Sequence, residues 1–121
     1  MIDIDHFKSI NDNFGHSEGD NALKTIADIL KKARKDREWV CRFAGDEFII
    51  LKLSDDPNGL EPYMKEAERL LAEYNRSNPP YQLSISYGFG YYVSGSIDSF
   101  MKEMDVKMYE MKIGHHGAES L

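Results

Sequence analysis

The stretch Cys41-Arg42-Phe43-Ala44-Gly45-Asp46-Glu47-Phe48-Ile49-Ile50 constrains this chain more than any other. Two apolar runs, WVCRFA and EFIILKL, meet at Ala44-Gly45-Asp46-Glu47. Gly-Asp at such a break is hairpin chemistry. The runs are therefore neighbouring core strands, and the turn is where core meets solvent. Adjacent carboxylates are tolerated there because they need not be buried unpaired.

The elements around the hairpin follow from periodicity. Met1 to Ile4 reads as a short strand, with Asp3 and Asp5 on one face and Ile2 and Ile4 on the other. A helix follows from about His6 to Asn13, with Asp5 as its N-cap. Ser17 starts a long helix with Leu23, Ile26, Ala27, Leu30 and Ala33 on one face. Lys31, Lys32, Arg34 and Lys35 crowd its end, where the helix dipole favours cations. After the hairpin, a second long helix spans about Glu61 to Arg76, with Met64, Ala67, Leu70, Leu71 and Tyr74 inward. YQLSISYGFGYYV reads as one long strand, in which Gly88 and Gly90 mark a bulge or a close backbone approach. Ser96 caps a final helix to about Ile113, whose Phe100, Met104, Met108 and Met111 form a core stripe. The order β-α-α-β-β-α-β-α predicts an α/β (α+β) fold, a mixed central sheet with helices packed on it.

At 121 residues the chain is one domain. Its net charge of -6 argues against binding nucleic acid or an anionic membrane. An anionic substrate remains admissible if metal ions supply positive charge. Cys41 is the only cysteine, so no internal disulfide forms, which suits a reducing cytoplasm. No apolar run reaches the length of a membrane span, and no signal peptide is visible. The chain opens inside a strand, so Met1 is read as an internal residue of a longer protein.

Three carboxylates then stand out: Asp3, Asp46 and Glu47. If the first strand lies beside the hairpin, Asp3 and Asp46 converge at one end of the sheet. Such a pair offers the hard oxygen ligands that Mg²⁺ prefers, and two metals can clamp a phosphoryl or nucleotidyl transfer. Asp-Glu is also ordinary turn chemistry, so the residues alone leave both readings open.

DIDHFKSINDNFGHSEGD followed by RFAGDEF closely resembles the GGDEF domain of diguanylate cyclases, over nearly the whole chain. The resemblance implies a nucleotidyl cyclase or polymerase-palm-like fold and condensation of two GTP into cyclic di-GMP, with release of pyrophosphate. It implies two Mg²⁺ or Mn²⁺ per site, held by Asp3, Asp46 and the Ile4 carbonyl, with Glu47 helping to activate the 3′-hydroxyl. Asn11 and Asp20 match the guanine-reading pair, although Ser17-Glu18-Gly19-Asp20 also fits a helix-capping box. Phe7, Lys8 and the amides at that helix start match the phosphate cradle, and Lys112 a phosphate-binding lysine.

There are departures. Ala44 replaces the first glycine of the signature, which is compatible with activity only if its backbone does not need positive φ. His115 and His116 stand where the family carries arginine within Gly-Arg-Asn, and they read as an exposed helix end. Lys35 and Glu38 replace the Arg and Asp of the inhibitory product site, so that site is expected to be absent. The family's N-terminal helix is missing. The implied partners are GTP, a second copy of the domain for catalysis, and a sensor or receiver domain in the parent. The implied location is the cytoplasm, with any membrane anchor in the parent. The other reading is a degenerate module that binds GTP or a protein partner and regulates without turnover.

Overall fold

The computed structural model describes residues 1–119, with side chains for residues 1–115. Its sheet contains β1 (Ile2–Ile4), β2 (Glu38–Ala44), β3 (Glu47–Lys52) and β4 (Ile85–Tyr87) in the order β2-β3-β1-β4. The helices are α1 (Phe7–Phe14), α2 (His16–Ala33), α3 (Glu61–Arg76) and α4 (Ile97–Glu119). The α+β class stands, with helices flanking the sheet, but all three strand pairings are antiparallel, where a mixed sheet was expected. The reason is topological. Each helical crossover skips one place: β3 fills the gap between β1 and β2, and β1 the gap between β3 and β4.

Strand alternation assigns the two faces. Ile2, Ile4, Phe48, Ile50 and Ile85 point to one side, where Ile26 and Leu30 of α2 and Met64, Ala67 and Leu71 of α3 bury them. Asp3, Asp5, Glu47 and Ser86 therefore point to the other side, where α4 packs beside β4. Met104 and Met108 of α4 are buried, as a core stripe requires. Ser96 caps α4, its Oγ accepting the Ser99 N–H at 3.2 Å.

The long strand expected at YQLSISYGFGYYV shrinks to Ile85–Tyr87. As an edge strand it pairs only with β1, which offers three residues. Beyond Tyr87 the glycines serve α4 instead. A Cβ on Gly88 would lie 2.4 Å from the Met104 carbonyl, and one on Gly90 2.8 Å from Met104 Cε.

Glu38 shows why a strand can begin with a buried acid. It is 3 % exposed, accepts the Lys35 N–H at 2.6 Å, and pairs with Lys52 at 3.0 Å from its register position on β3. Glu38→Ala is expected to cost about 2 kcal/mol, because it orphans an ammonium and a backbone donor. A urea midpoint equal to wild type would show that the pair contributes nothing.

Candidate active site

Three elements bring the acidic residues together. Asp3 sits in β1 directly opposite Glu47 in β3. Asp46 occupies the hairpin tip, and the Ile4 N–H donates to its carbonyl at 3.3 Å, which ties the turn to the end of β1. Like charges directly opposed across strands are unfavourable, so this arrangement is not one that stability alone would select. Its strain shows in the acidities. Burial, then the nearby Asp46 carboxyl, push Asp3 up to about 6, against the pull of Lys112. Burial, then the charges of Asp3 and Asp105, raise Glu47 above its ordinary value.

Asp3 is buried, and its Oδ1 has no hydrogen-bond partner. An orphaned carboxylate oxygen beside a second carboxyl fits a hard cation. Among the described residues no three His, Cys, Asp or Glu side chains converge to hold a metal. The acidic groups that meet here are the two carboxylates of Asp3 and Asp46. That set leaves positions for water or phosphate oxygens, as Mg²⁺ usually requires.

The turn chemistry is clear. Gly45 has φ +42, the positive value that a two-residue hairpin demands at its first central position. Ala44 is absent from the positive-φ residues, so it adopts its place without strain. The Arg42 guanidinium donates twice to the Gly45 carbonyl, at 3.0 and 2.8 Å, and staples the turn. Sequence reasoning did not single out Arg42.

Lys112 reaches the site from α4 and forms an ion pair with Asp3 Oδ2. Burial works against its ammonium, but Asp3 outweighs that, so its pKa lies above the ordinary lysine value. One turn further, His115 Nδ1 lies 2.7 Å from Asp5 Oδ2. Two expectations fall here. Asp5 is not the N-cap of α1: His6 takes that position with φ 57, and Asp5 is buried, accepting from Ser84 and Ser86. Burial alone would raise Asp5, but the hydrogen bonds from Ser84, Ser86 and His115 hold it below its ordinary value. Nor is His115 a free helix end. The Asp5–His115 contact spans 110 positions, and no local pattern could have signalled it. The His116 side chain lies outside the described residues.

The guanine-reading candidates sit on α1 and α2. The Asn11 amide packs on Gly19, where an added Cβ would lie 1.8 Å from Asn11 Oδ1. Asp20 follows Gly19 and is exposed. The capping-box alternative does not form: α2 starts at His16 behind Gly15, with no side-chain cap hydrogen bond. Phe7 packs against the core, while Lys8 is exposed on the first turn of α1. Lys35 is exposed, and Glu38 is already engaged by Lys52 and the Lys35 N–H.

Comparison with known proteins bears on the family and the fold. The family model described as "Diguanylate cyclase, GGDEF domain" matches residues 1–117. Diguanylate cyclase A of Treponema denticola is 32 % identical over 119 residues, covering 93 % of this chain and 31 % of that protein. Diguanylate cyclase DgcP of Pseudomonas aeruginosa is 51 % identical over 51 residues, covering 42 % of this chain and 8 % of that protein. The chain thus spans a third or less of these relatives. The GGDEF domain of DgcB from Caulobacter crescentus, solved in complex with c-di-GMP, superposes with a TM-score of 0.81 at 25 % identity, covering 93 % of this chain and 70 % of that one. The opposed carboxylates of β1 and the hairpin, the antiparallel sheet that carries them and the match over residues 1–117 lead to one conclusion: this chain belongs to the diguanylate cyclase GGDEF-domain family.

Proposed function

We propose that this chain is the catalytic domain of a diguanylate cyclase, condensing two GTP into cyclic di-GMP in the cytoplasm. The observation that carries this reading is the convergence of Asp3 with Asp46 and Glu47 at one end of the sheet. Asp3, Asp46 and the Ile4 carbonyl would hold two Mg²⁺ or Mn²⁺. When bound, these ions would polarise the α-phosphate and lower the pKa of the 3′-hydroxyl.

The protein's own residues do the rest. Glu47, whose pKa burial and neighbouring carboxylates hold above its ordinary value, is suited to take the 3′-hydroxyl proton. The 3′-oxygen then forms its bond to the α-phosphorus of the other GTP, the α–β bridging bond breaks, and pyrophosphate leaves. Lys112, Lys8 and the amides of the first turn of α1 compensate phosphate charge. Asn11 and Asp20 accept and donate on the guanine edge. Each domain presents one GTP, so two copies must meet face to face for both bonds to form. A sensor or receiver domain in the parent would bring them together. Among the described residues no helix is long and apolar enough to cross a membrane.

Incubation of the dimeric parent protein with GTP and Mg²⁺ or Mn²⁺, with the product read by mass, tests the reading. Cyclic di-GMP is expected; GTP bound without turnover would favour the regulatory module instead. Asp20→Ser is expected to erode the preference for GTP over ATP by roughly a hundredfold, because its carboxylate pairs with donors that adenine lacks. An unchanged preference would remove Asp20 from the guanine site. Added cyclic di-GMP is expected to leave the rate unaltered through Lys35 and Glu38, since the Glu38 carboxylate is committed to Lys52.

A further inference from the structure

We infer that His115 is a positioning residue: it pins α4 to Asp5 and so sets Lys112 on Asp3. The inference rests on the reading of Asp3 and Asp46 as cation ligands. Asp3 lies in β1 and Asp5 directly follows it, its N–H still donating to the Ser84 carbonyl at 2.8 Å, so the two share one side of the sheet. Lys112 and His115 are three residues apart on α4 and so lie one above the other. The helix therefore meets the strand at two points, Lys112 on Asp3 and His115 on Asp5.

The two points differ in kind. Asp5 is 3 % exposed and takes three donors: Ser84 Oγ at 2.6 Å, Ser86 Oγ at 2.6 Å and His115 Nδ1 at 2.7 Å. Its position is over-determined. Asp3 keeps one oxygen open. The Asp5 contact is thus the fixed anchor, and the Asp3 contact is the one that can exchange.

The cluster is not a nucleophilic triad. Ser86 Oγ lies 3.1 Å from His115 Nδ1, the same nitrogen that meets Asp5. In a triad the base uses one ring nitrogen for the hydroxyl and the other for the carboxylate. Here the Ser86 proton already goes to Asp5 Oδ1. The geometry is that of a clamp.

A consequence separates this role from a merely structural one. Lys112 on Asp3 Oδ2 opposes a divalent cation at the neighbouring Oδ1, by charge repulsion and by neutralising the shared carboxylate, whereas the same ammonium assists nucleotide phosphates. Loosening His115 should therefore strengthen metal binding and weaken nucleotide binding. Damage to the fold would weaken both.

The test uses Mn²⁺, followed by the electron paramagnetic resonance of the free ion, and a GTP analogue with carbon bridging the α- and β-phosphorus, titrated at saturating Mn²⁺. His115→Ala is expected to tighten Mn²⁺ about fivefold and to weaken the analogue by a similar factor. His115→Asn keeps an N–H for Asp5 and is expected to restore both. In a Lys112→Met background, His115→Ala should change neither. Shifts of the same sign, no shifts, failure of Asn to restore them, or an equal effect without Lys112 would each overturn the inference. If wild type and Asp3→Asn bind Mn²⁺ alike, the cation site itself falls, and the inference with it. Asp3-dependent binding that His115→Ala leaves unmoved removes His115 alone. In unaltered protein, ¹⁵N spectra should show a protonated His115 Nδ1; an unprotonated Nδ1 would overturn the clamp without any variant.

Discussion

Asp3→Asn is expected to lower kcat/KM for GTP by about a thousandfold or more while the fold survives, since several kcal/mol of charge stabilisation depend on that carboxylate. The reasoning starts from cost. Asp3 is buried opposite Glu47 and close to Asp46, and its pKa is pushed up to about 6. Asparagine keeps the shape and removes the repulsion, so the midpoint of thermal unfolding should stay level or rise. Loss of activity with undiminished stability is the signature of a residue kept for chemistry. Asp46→Asn should behave likewise. Activity within tenfold of wild type in either variant would remove that carboxylate from the metal site.

Gly88→Ala is expected to have the largest effect on stability, about 3 kcal/mol, because the intrusion meets backbone rather than a yielding side chain. The added methyl would lie 2.4 Å from the Met104 carbonyl, 2.6 Å from Lys107 Cβ and 2.9 Å from the Met108 N. The helix must move away from the sheet, taking Lys112 and His115 with it. Chemical denaturation should show a markedly lower midpoint, and cyclase activity should fall with it. A midpoint within a few tenths of a kcal/mol of wild type would mean that α4 is not seated as described. Gly19→Ala offers a contrast. The three atoms nearest its methyl all belong to the Asn11 amide, the first at 1.8 Å, so rotation of that side chain should relieve the clash and damage guanine binding more than stability.

Much of this architecture was legible in local pattern. The hairpin follows from Gly45-Asp46 between apolar runs, and α3 begins and ends where its periodicity and the Asn78-Pro79-Pro80 stop place it. The Met stripe of α4 is core, as its spacing implied. Where pattern misled, the deciding partner lay far along the chain. The run after Tyr81 alternates like a strand throughout, yet a strand extends only as far as its neighbour, and β1 offers three residues. Asp5 precedes a helix and looks like a cap, but Ser84, Ser86 and His115 claim its carboxylate.

The sequence by itself determined which faces are apolar, where the chain turns, and which residue types cluster in the family's order. It could not say which of two aspartates, two positions apart on one strand face, would be satisfied. Only the tertiary structure decided that, by bringing β4 and α4 against β1. Hydrogen-bond satisfaction depends on donors in space, not in sequence. Asp5 received three such donors and became an anchor, while Asp3, beside Asp46, kept an open oxygen and became the candidate ligand.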